Sequence, residues 1–280
     1  MTHGTRRAGI SKRTRALTND MPSGIQYAKD LLPDVRLEPT SRRIRATVGD
    51  ETVADTTAAY VLFERDHLPV YYLPRTALCE QFLVESDHHT VCPRKGTASY
   101  FHLKVGDRLI ENAVWYYPEP LEHLPELADL VALYWDKVDH WYEEDEEVFK
   151  HARDPYHRVD ALRSSRHVQV VVNGEIVADT TRPTLLFETT LPTRYYIPKD
   201  DVRTDLLTPT SMASVCPYKG TASYWSLTVG DRTIADAVWS YPHPIAQCPG
   251  VEGLLCFFDE RVDEIIVDGV KQPCPTTPWS

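Results

Sequence analysis

The sequence predicts a mainly β protein built from two tandem copies of one antiparallel domain, each copy carrying one short helix. Three observations predict it. Sliding the chain by 124 residues lays residues 41–120 on 165–244 without a gap, and about 37 of those 80 positions are identical. An eleven-residue phrase, VCPRKGTASYF from Val91 to Phe101, returns as VCPYKGTASYW from Val215 to Trp225. The apolar runs within each copy are short and rich in Val, Ile, Thr, Tyr, Phe and Trp, the residues that fit a pleated, half-buried surface. So long a period exceeds that of solenoids and propellers and matches a whole small domain.

The elements follow in order along the chain. Residues 1–40 form an N-terminal extension that opens on the basic, hydroxyl-rich stretch MTHGTRRAGISKRTR. It reads as a partly disordered arm, with an organelle transit peptide as the alternative. The first domain covers 41–147, a connector 148–164, the second domain 165–271, and a polar tail 272–280. The connector is charged and punctuated by proline, as the stretch EEDEEVFKHARDPYHRVD from Glu143 to Asp160 shows.

In the second copy, HVQVVV and EIVADT flank Asn173-Gly174, a pair that supplies the positive φ angles of a type I′ hairpin turn. TLLFET, TRYYIP and TASYWSLTV continue as strands, followed by a turn at Gly230-Asp231 and the strand RTIADAVW. LLCFF and VDEIIV make a last pair around Asp259 to Arg261, for roughly seven or eight strands per copy. LPELADL, and a weaker counterpart near Val251, provide the helix.

Composition bounds the function. With 280 residues, 42% hydrophobic and 10% aromatic, the chain can bury one large core or two ordinary ones. A formal net charge of -11 argues against nucleic acid as a partner, because phosphate binding needs clustered Lys and Arg. No apolar run reaches the roughly 18 residues of a membrane span, and no apolar secretory leader is present, so a cytoplasmic address is expected. Six cysteines are too few and too unevenly spaced for a disulfide framework and read as reduced thiols.

VCPYKGTASYW, followed by AVWSYPHP and preceded by LLFET and RYYIP, closely resembles the DUF427 family of domains of unknown function. Two such domains joined by DPYHRVD are similar to the tandem members of that family. The resemblance spans about residues 41–271 and implies a β-tent-like fold, two antiparallel sheets leaning together over a pocket or tunnel. The family also carries a nucleotidyltransferase label. The residues give it little support, for no Gly-rich phosphate loop and no Gly-Ser followed by paired aspartates occurs. Related β-tent families hold zinc on paired C-x-x-C motifs; this chain has no C-x-x-C, so neither a metal nor a cofactor is expected.

Chemistry concentrates in the repeated phrase. Lys95 and Lys219 recur where their neighbours Arg94 and Tyr218 diverge, which points to a contact with an anion or carbonyl as readily as to a solvated charge. Glu64 and Glu188 end the apolar strand LFE and are expected to be either exposed or paired with the lysine of the phrase. Cys92 and Cys216 sit three residues before a lysine-glycine pair and read as structural filler or, alternatively, as a nucleophilic thiol. Trp115, Trp239, Tyr100, Tyr224 and Tyr196 build a core or the wall of a pocket. Asp55 and Asp179 in VADTT are expected to start turns.

Two function classes fit. One is a small-molecule binding module with an aromatic wall and Lys219 and Glu188 as polar anchors, taking a small carbonyl-containing or anionic metabolite. The other is a small enzyme using Lys219 with Glu188 as an acid/base pair, or Cys216 as nucleophile. A non-catalytic scaffold is the third option. The second copy matches the family pattern more fully, so if only one site works it is expected to be the second.

Overall fold

The computed structural model describes residues 33–277. The basic segment read as a disordered arm or transit peptide lies outside the described residues. The first copy contributes β1 (Val35–Pro39), β2 (Ile44–Val48), β3 (Glu51–Thr56), β4 (Tyr60–Glu64), β5 (Val70–Pro74), β6 (Leu83–Cys92), β7 (Gly96–Val105), β8 (Arg108–Pro120), β9 (Leu130–Leu133), β10 (His140–Glu143) and β11 (Glu146–Val148). The second repeats them as β12 (Val159–Arg163), β13 (Val168–Val172), β14 (Glu175–Thr180), β15 (Thr184–Glu188), β16 (Arg194–Ile197), β17 (Leu207–Cys216), β18 (Gly220–Val229), β19 (Arg232–Ser240), β20 (Leu255–Phe257), β21 (Glu264–Val267) and β22 (Val270–Lys271).

Each copy pairs a seven-stranded antiparallel sheet with a four-stranded one. The large sheets run β1-β4-β5-β9-β8-β7-β6 and β12-β15-β16-β20-β19-β18-β17; the small ones run β11-β10-β2-β3 and β14-β13-β21-β22. The fold is thus the mainly β, two-domain architecture expected, with more strands, eleven in each copy. LPELADL forms a 3-10 helix at Pro125–Asp129, and its counterpart is a single 3-10 turn at Pro249–Val251. Proline at the first helical position starts each turn, and the chain extends again at once into a strand or bend. LLCFF and VDEIIV do not pair with each other. The loop between them hands the chain from the large sheet to the small one. The hairpin at Asn173-Gly174 forms as read, with φ +52° and +76°.

Alternation along the strands gives the large sheet two apolar faces. In β8, Val114 and Tyr116 face the small sheet, while Trp115 and Tyr117 face the other way. In β5, Tyr71 and Leu73 take the first face and Tyr72 the second. The first face builds the inter-sheet core, centred on Ile44, Leu73 and Leu103 in the first copy and on Val170, Ile197 and Leu227 in the second. The second face carries a separate aromatic cluster, closed by the loop that follows β8 or β19 through Leu124 and Leu127 or Cys248 and Val251.

β6 and β17 are outermost in their sheets, largely exposed, and each is broken by a register shift, between Ser86 and His89 and between Pro209 and Ala213. At the opposite edge β12 lies within the stretch read as the connector, where it pairs with β15 from Val159↔Glu188 to Arg163↔Thr184. Just before it, the Arg153 amide donates to the Tyr71 hydroxyl of the first copy at 3.3 Å and the Asp154 amide to the Tyr218 hydroxyl of the second at 2.9 Å. Tyr156 donates to Glu38 at 2.7 Å and its ring lies 5.8 Å from that of Phe63.

Candidate functional site

The hairpin joining β17 to β18 places the phrase. The Cys216 carbonyl accepts the Lys219 amide at 3.4 Å, closing a tight turn over Pro217 and Tyr218. Gly220 follows at φ +103°, and a Cβ there would meet the His243 carbonyl at 3.2 Å and the Ile245 amide at 3.3 Å. The covering loop approaches this closely because the Ile245 amide donates to the Lys219 carbonyl at 3.1 Å. The first copy repeats the arrangement with Gly96 at φ +108° and the Leu121 amide on the Lys95 carbonyl at 3.1 Å.

Glu188 lies two residues after Leu186, so strand alternation turns it to the aromatic face rather than to the inter-sheet core. There the Lys219 ammonium bonds its Oε2, and the Lys95 ammonium bonds Oε2 of Glu64 in the same way. These are nearly buried ion pairs, with side-chain exposures of 9% and 6% for Lys219 and Glu188 and 10% for both Lys95 and Glu64.

The other carboxylate oxygen meets a different nitrogen donor in each copy. Arg94 Nη1 donates to Glu64 Oε1 at 3.2 Å, whereas His157 Nε2 donates to Glu188 Oε1 at 3.0 Å. Burial alone would push the Glu188 carboxyl up, but the His157 bond and the Lys219 charge outweigh it and hold it below the usual value. For Glu64, burial is opposed chiefly by Lys95 and then by Arg94, with the same net direction. Tyr218 fills the position of Arg94 and stacks on the His157 imidazole, ring centres 4.1 Å apart.

The aromatic residues interlock. Trp239 Nε1 donates to the fully buried Tyr196 hydroxyl at 3.1 Å, and Trp115 to Tyr72 at 3.0 Å. The hydroxyl of Tyr224 shares a 2.6 Å bond with Ser214, and that of Tyr100 a 2.7 Å bond with Thr90. Tyr196 and Trp239 are therefore core side chains with satisfied polar ends, and Tyr224, half-buried, stands nearer the surface. Cys216 packs against the same cluster, and its sulfur accepts the Tyr218 amide at 3.5 Å. Cys248, in the covering loop, has its thiol pushed up to about 11 by burial, which keeps it protonated and inert. A shallow depression lined by Arg158, Asp160, Phe187 and Thr193 reaches Glu188 from the sheet edge.

Among the residues singled out from sequence, the fold brings Lys219, Glu188, Cys216, Tyr224, Trp239 and Tyr196 to one face, and Lys95, Tyr100 and Trp115 to the matching face of the first copy. Asp55 and Asp179 do not begin turns. They sit in strands and accept Arg43 at 2.8 Å and His167 at 2.7 Å, the residues that immediately precede the neighbouring strands β2 and β13. Sequence reasoning missed His157 and Arg94. The signal was available in a divergence inside the phrase, Arg94 against Tyr218, taken with Pro33 against His157 at the same offset of 124.

A second buried cluster was also missed. In the second copy Arg194 bonds Asp259 at 3.0 Å and Glu260 at 2.6 Å, its guanidinium 5.6 Å from the Trp239 ring. The first copy has Val70 at the position of Arg194 and instead buries Glu143, which accepts Tyr71 at 2.5 Å and Arg42 at 2.6 Å. Among the described residues no group of three His, Cys, Asp or Glu side chains is placed to hold a metal ion.

Fold and site define a duplicated β-domain protein with one lysine–glutamate pair per domain. The family described as a domain of unknown function, DUF427, matches residues 36–144 and again 160–268, and the chain belongs to that family as a tandem member. Both matches take in the edge strand that precedes the identical stretch. No curated protein matches the chain. Among the described residues no helix is long and apolar enough to cross a membrane.

Proposed function

We propose that each copy is a cytoplasmic small-molecule binding domain whose polar anchor is the lysine–glutamate pair, taking a small anionic or carbonyl-containing metabolite against the half-buried rim of the aromatic cluster. The observation that carries this reading is the pair itself. Removing an ammonium and a carboxylate from water costs several kcal/mol per ion, and apolar replacements of buried pairs are often neutral or stabilising. More than half of the aligned positions have drifted between the copies, yet both keep the pair, on the same carboxylate oxygen. A purely architectural role gives no reason to retain it twice. Arg94 leaves a positive balance suited to an anion at the first site, His157 adds a nitrogen donor at the second, and the depression beside Glu188 supplies an approach from the sheet edge. Six free cysteines suit a reducing compartment.

The test is a thermal-shift screen of pooled central metabolites on the full chain, on Lys219→Met and on Lys95→Met. An anionic or carbonyl compound that raises the wild-type Tm and loses its effect in the lysine variants supports the reading. A shift that survives in both variants, or no shift by any pool, overturns it. Consumption of the compound during the screen would move the protein to the enzyme class.

A further inference from the structure

We infer that the two copies are non-equivalent anion sites, the first charged at all physiological pH and the second charged only while His157 is protonated. This deepens the reading above and rests on it. The geometry is a substitution of one cation for another at a single atom. Oε2 of each glutamate holds the phrase lysine, and Oε1 holds Arg94 in the first copy but His157 in the second. Tyr218 cannot carry charge where Arg94 did; it offers a flat face for the imidazole and accepts the Asp154 amide at 2.9 Å, fixing the connector from which His157 projects. Proline occupies the position of His157 in the first copy, so each glutamate has one second nitrogen partner and obtains it from a different segment.

The charge balance follows. Lysine, arginine and glutamate leave one positive charge at the first site whatever the pH, because guanidinium does not titrate. Lysine, imidazole and glutamate leave one positive charge at the second site below the histidine pKa and none above it. The charged and titratable groups facing His157 come from each neighbouring element. They are Glu188 and Lys219, Tyr218 beneath the ring, His151 edge-on to Tyr218, Asp154 and Arg158 on its own segment, and Asp160 paired with Arg158 at 2.7 Å. His243 in the covering loop is exposed beside Gly220. At the first site the titratable neighbour is His67, which is exposed and bonds the Arg65 carbonyl rather than Glu64, so it does not replace Arg94.

The proposal is tested on full-length protein labelled with 15N in histidine and tryptophan, with sulfate as probe because its charge is constant between about pH 5.5 and 8. Ring signals of His157 report the second site and the indole signal of Trp115 the first. The expected result is a sulfate Kd at the second site that weakens on the order of tenfold across that range, with the first changing less than about twofold. By linkage, saturating sulfate raises the His157 titration midpoint. Exchanging the pattern with His157→Pro and Tyr218→Arg removes the pH dependence; His157→Gln, which keeps a donor without the charge, gives weak and pH-independent binding. Sulfate binding at both sites with parallel or flat pH dependence overturns the inference and leaves the binding reading standing. No response at either site at any pH overturns both.

Discussion

Trp239 donates its indole N–H to the hydroxyl of Tyr196 at 3.1 Å, and 124 residues earlier Trp115 does the same to Tyr72 at 3.0 Å. The two bonds differ in surroundings, since Trp239 is buried whereas Trp115 is half-buried. Tyr196→Phe therefore strands a donor away from water and is expected to cost about 1–3 kcal/mol, while Tyr72→Phe lets the indole find solvent and costs under about 1 kcal/mol. Urea unfolding of the two variants checks the order; equal losses would show that the hydrogen bond is not what separates them.

Lys219→Met leaves Glu188 buried with His157 alone. Breaking one partner of a buried pair is expected to cost about 3–5 kcal/mol, and the double change Lys219→Met, Glu188→Leu is expected to recover most of it. A double-mutant cycle by chemical denaturation measures both. Additive losses would remove the coupling.

The Glu188 carboxyl is held below its usual value of 4.5 in the fold, so its contribution is fully present above that pH and is lost as pH falls through the lower, folded value. Glu188→Gln should flatten the acid side of the stability–pH curve below about pH 4.5. Asp259 behaves oppositely. Burial, only partly offset by Arg194, raises it from 3.8 to about 6, so stability is lost as pH rises through that interval. Asp259→Asn should gain stability relative to wild type between about pH 4 and 6 and hold a constant difference above. Thermal melts across pH 3.5–8 (about half-unit steps) distinguish the two signs.

Gly220→Ala forces a Cβ between two backbone groups of the covering loop at a φ that L-residues avoid. It should cost more than about 1 kcal/mol and loosen the Lys219 turn, whereas Gly174→Ala, with open space around it, pays the φ penalty alone. Calorimetric Tm values for the pair decide.

A fragment of residues 153–277 should unfold cooperatively, because it keeps β12 and the tail residue Thr277, which donates to Glu260 at 2.5 Å. A fragment of 165–271 lacks the edge strand and should melt lower or lose its transition. The same Tm for both would make β12 dispensable.

Much of this was legible in the residues. The repeat announced two domains, the β-branched and aromatic runs announced strands, and Asn173-Gly174 announced its turn, because each depends on local geometry or on plain identity. The pairing of Lys219 with Glu188 was foreseeable from a carboxylate placed two positions after a buried leucine. His157 was not. It lies in a segment without apolar periodicity, 31 residues before Glu188 in the chain, and its contact depends on β12 adding itself to β15, the strand that carries Glu188. β1 and β12 have few identical residues to mark them, and strand pairing holds them through backbone groups that carry no sequence signature. Arg194 and Glu143 escaped because the repeat marks neither: the first copy has Val70 where the second has Arg194, and the second has Val267 where the first has Glu143.

The interrupted outer strands have a consequence for growth. β6 and β17, one outer margin from each large sheet, make a two-ended building block. If both margins could accept a strand from another molecule, addition at one end would leave a fresh end elsewhere, and assembly would propagate without closing. The bulge at Ser86–His89, the bulge beginning at Pro209 and the missing N–H of that proline deny an incoming strand a continuous ladder. Duplication doubled the hazard along with the site, and each copy carries its own terminator against it.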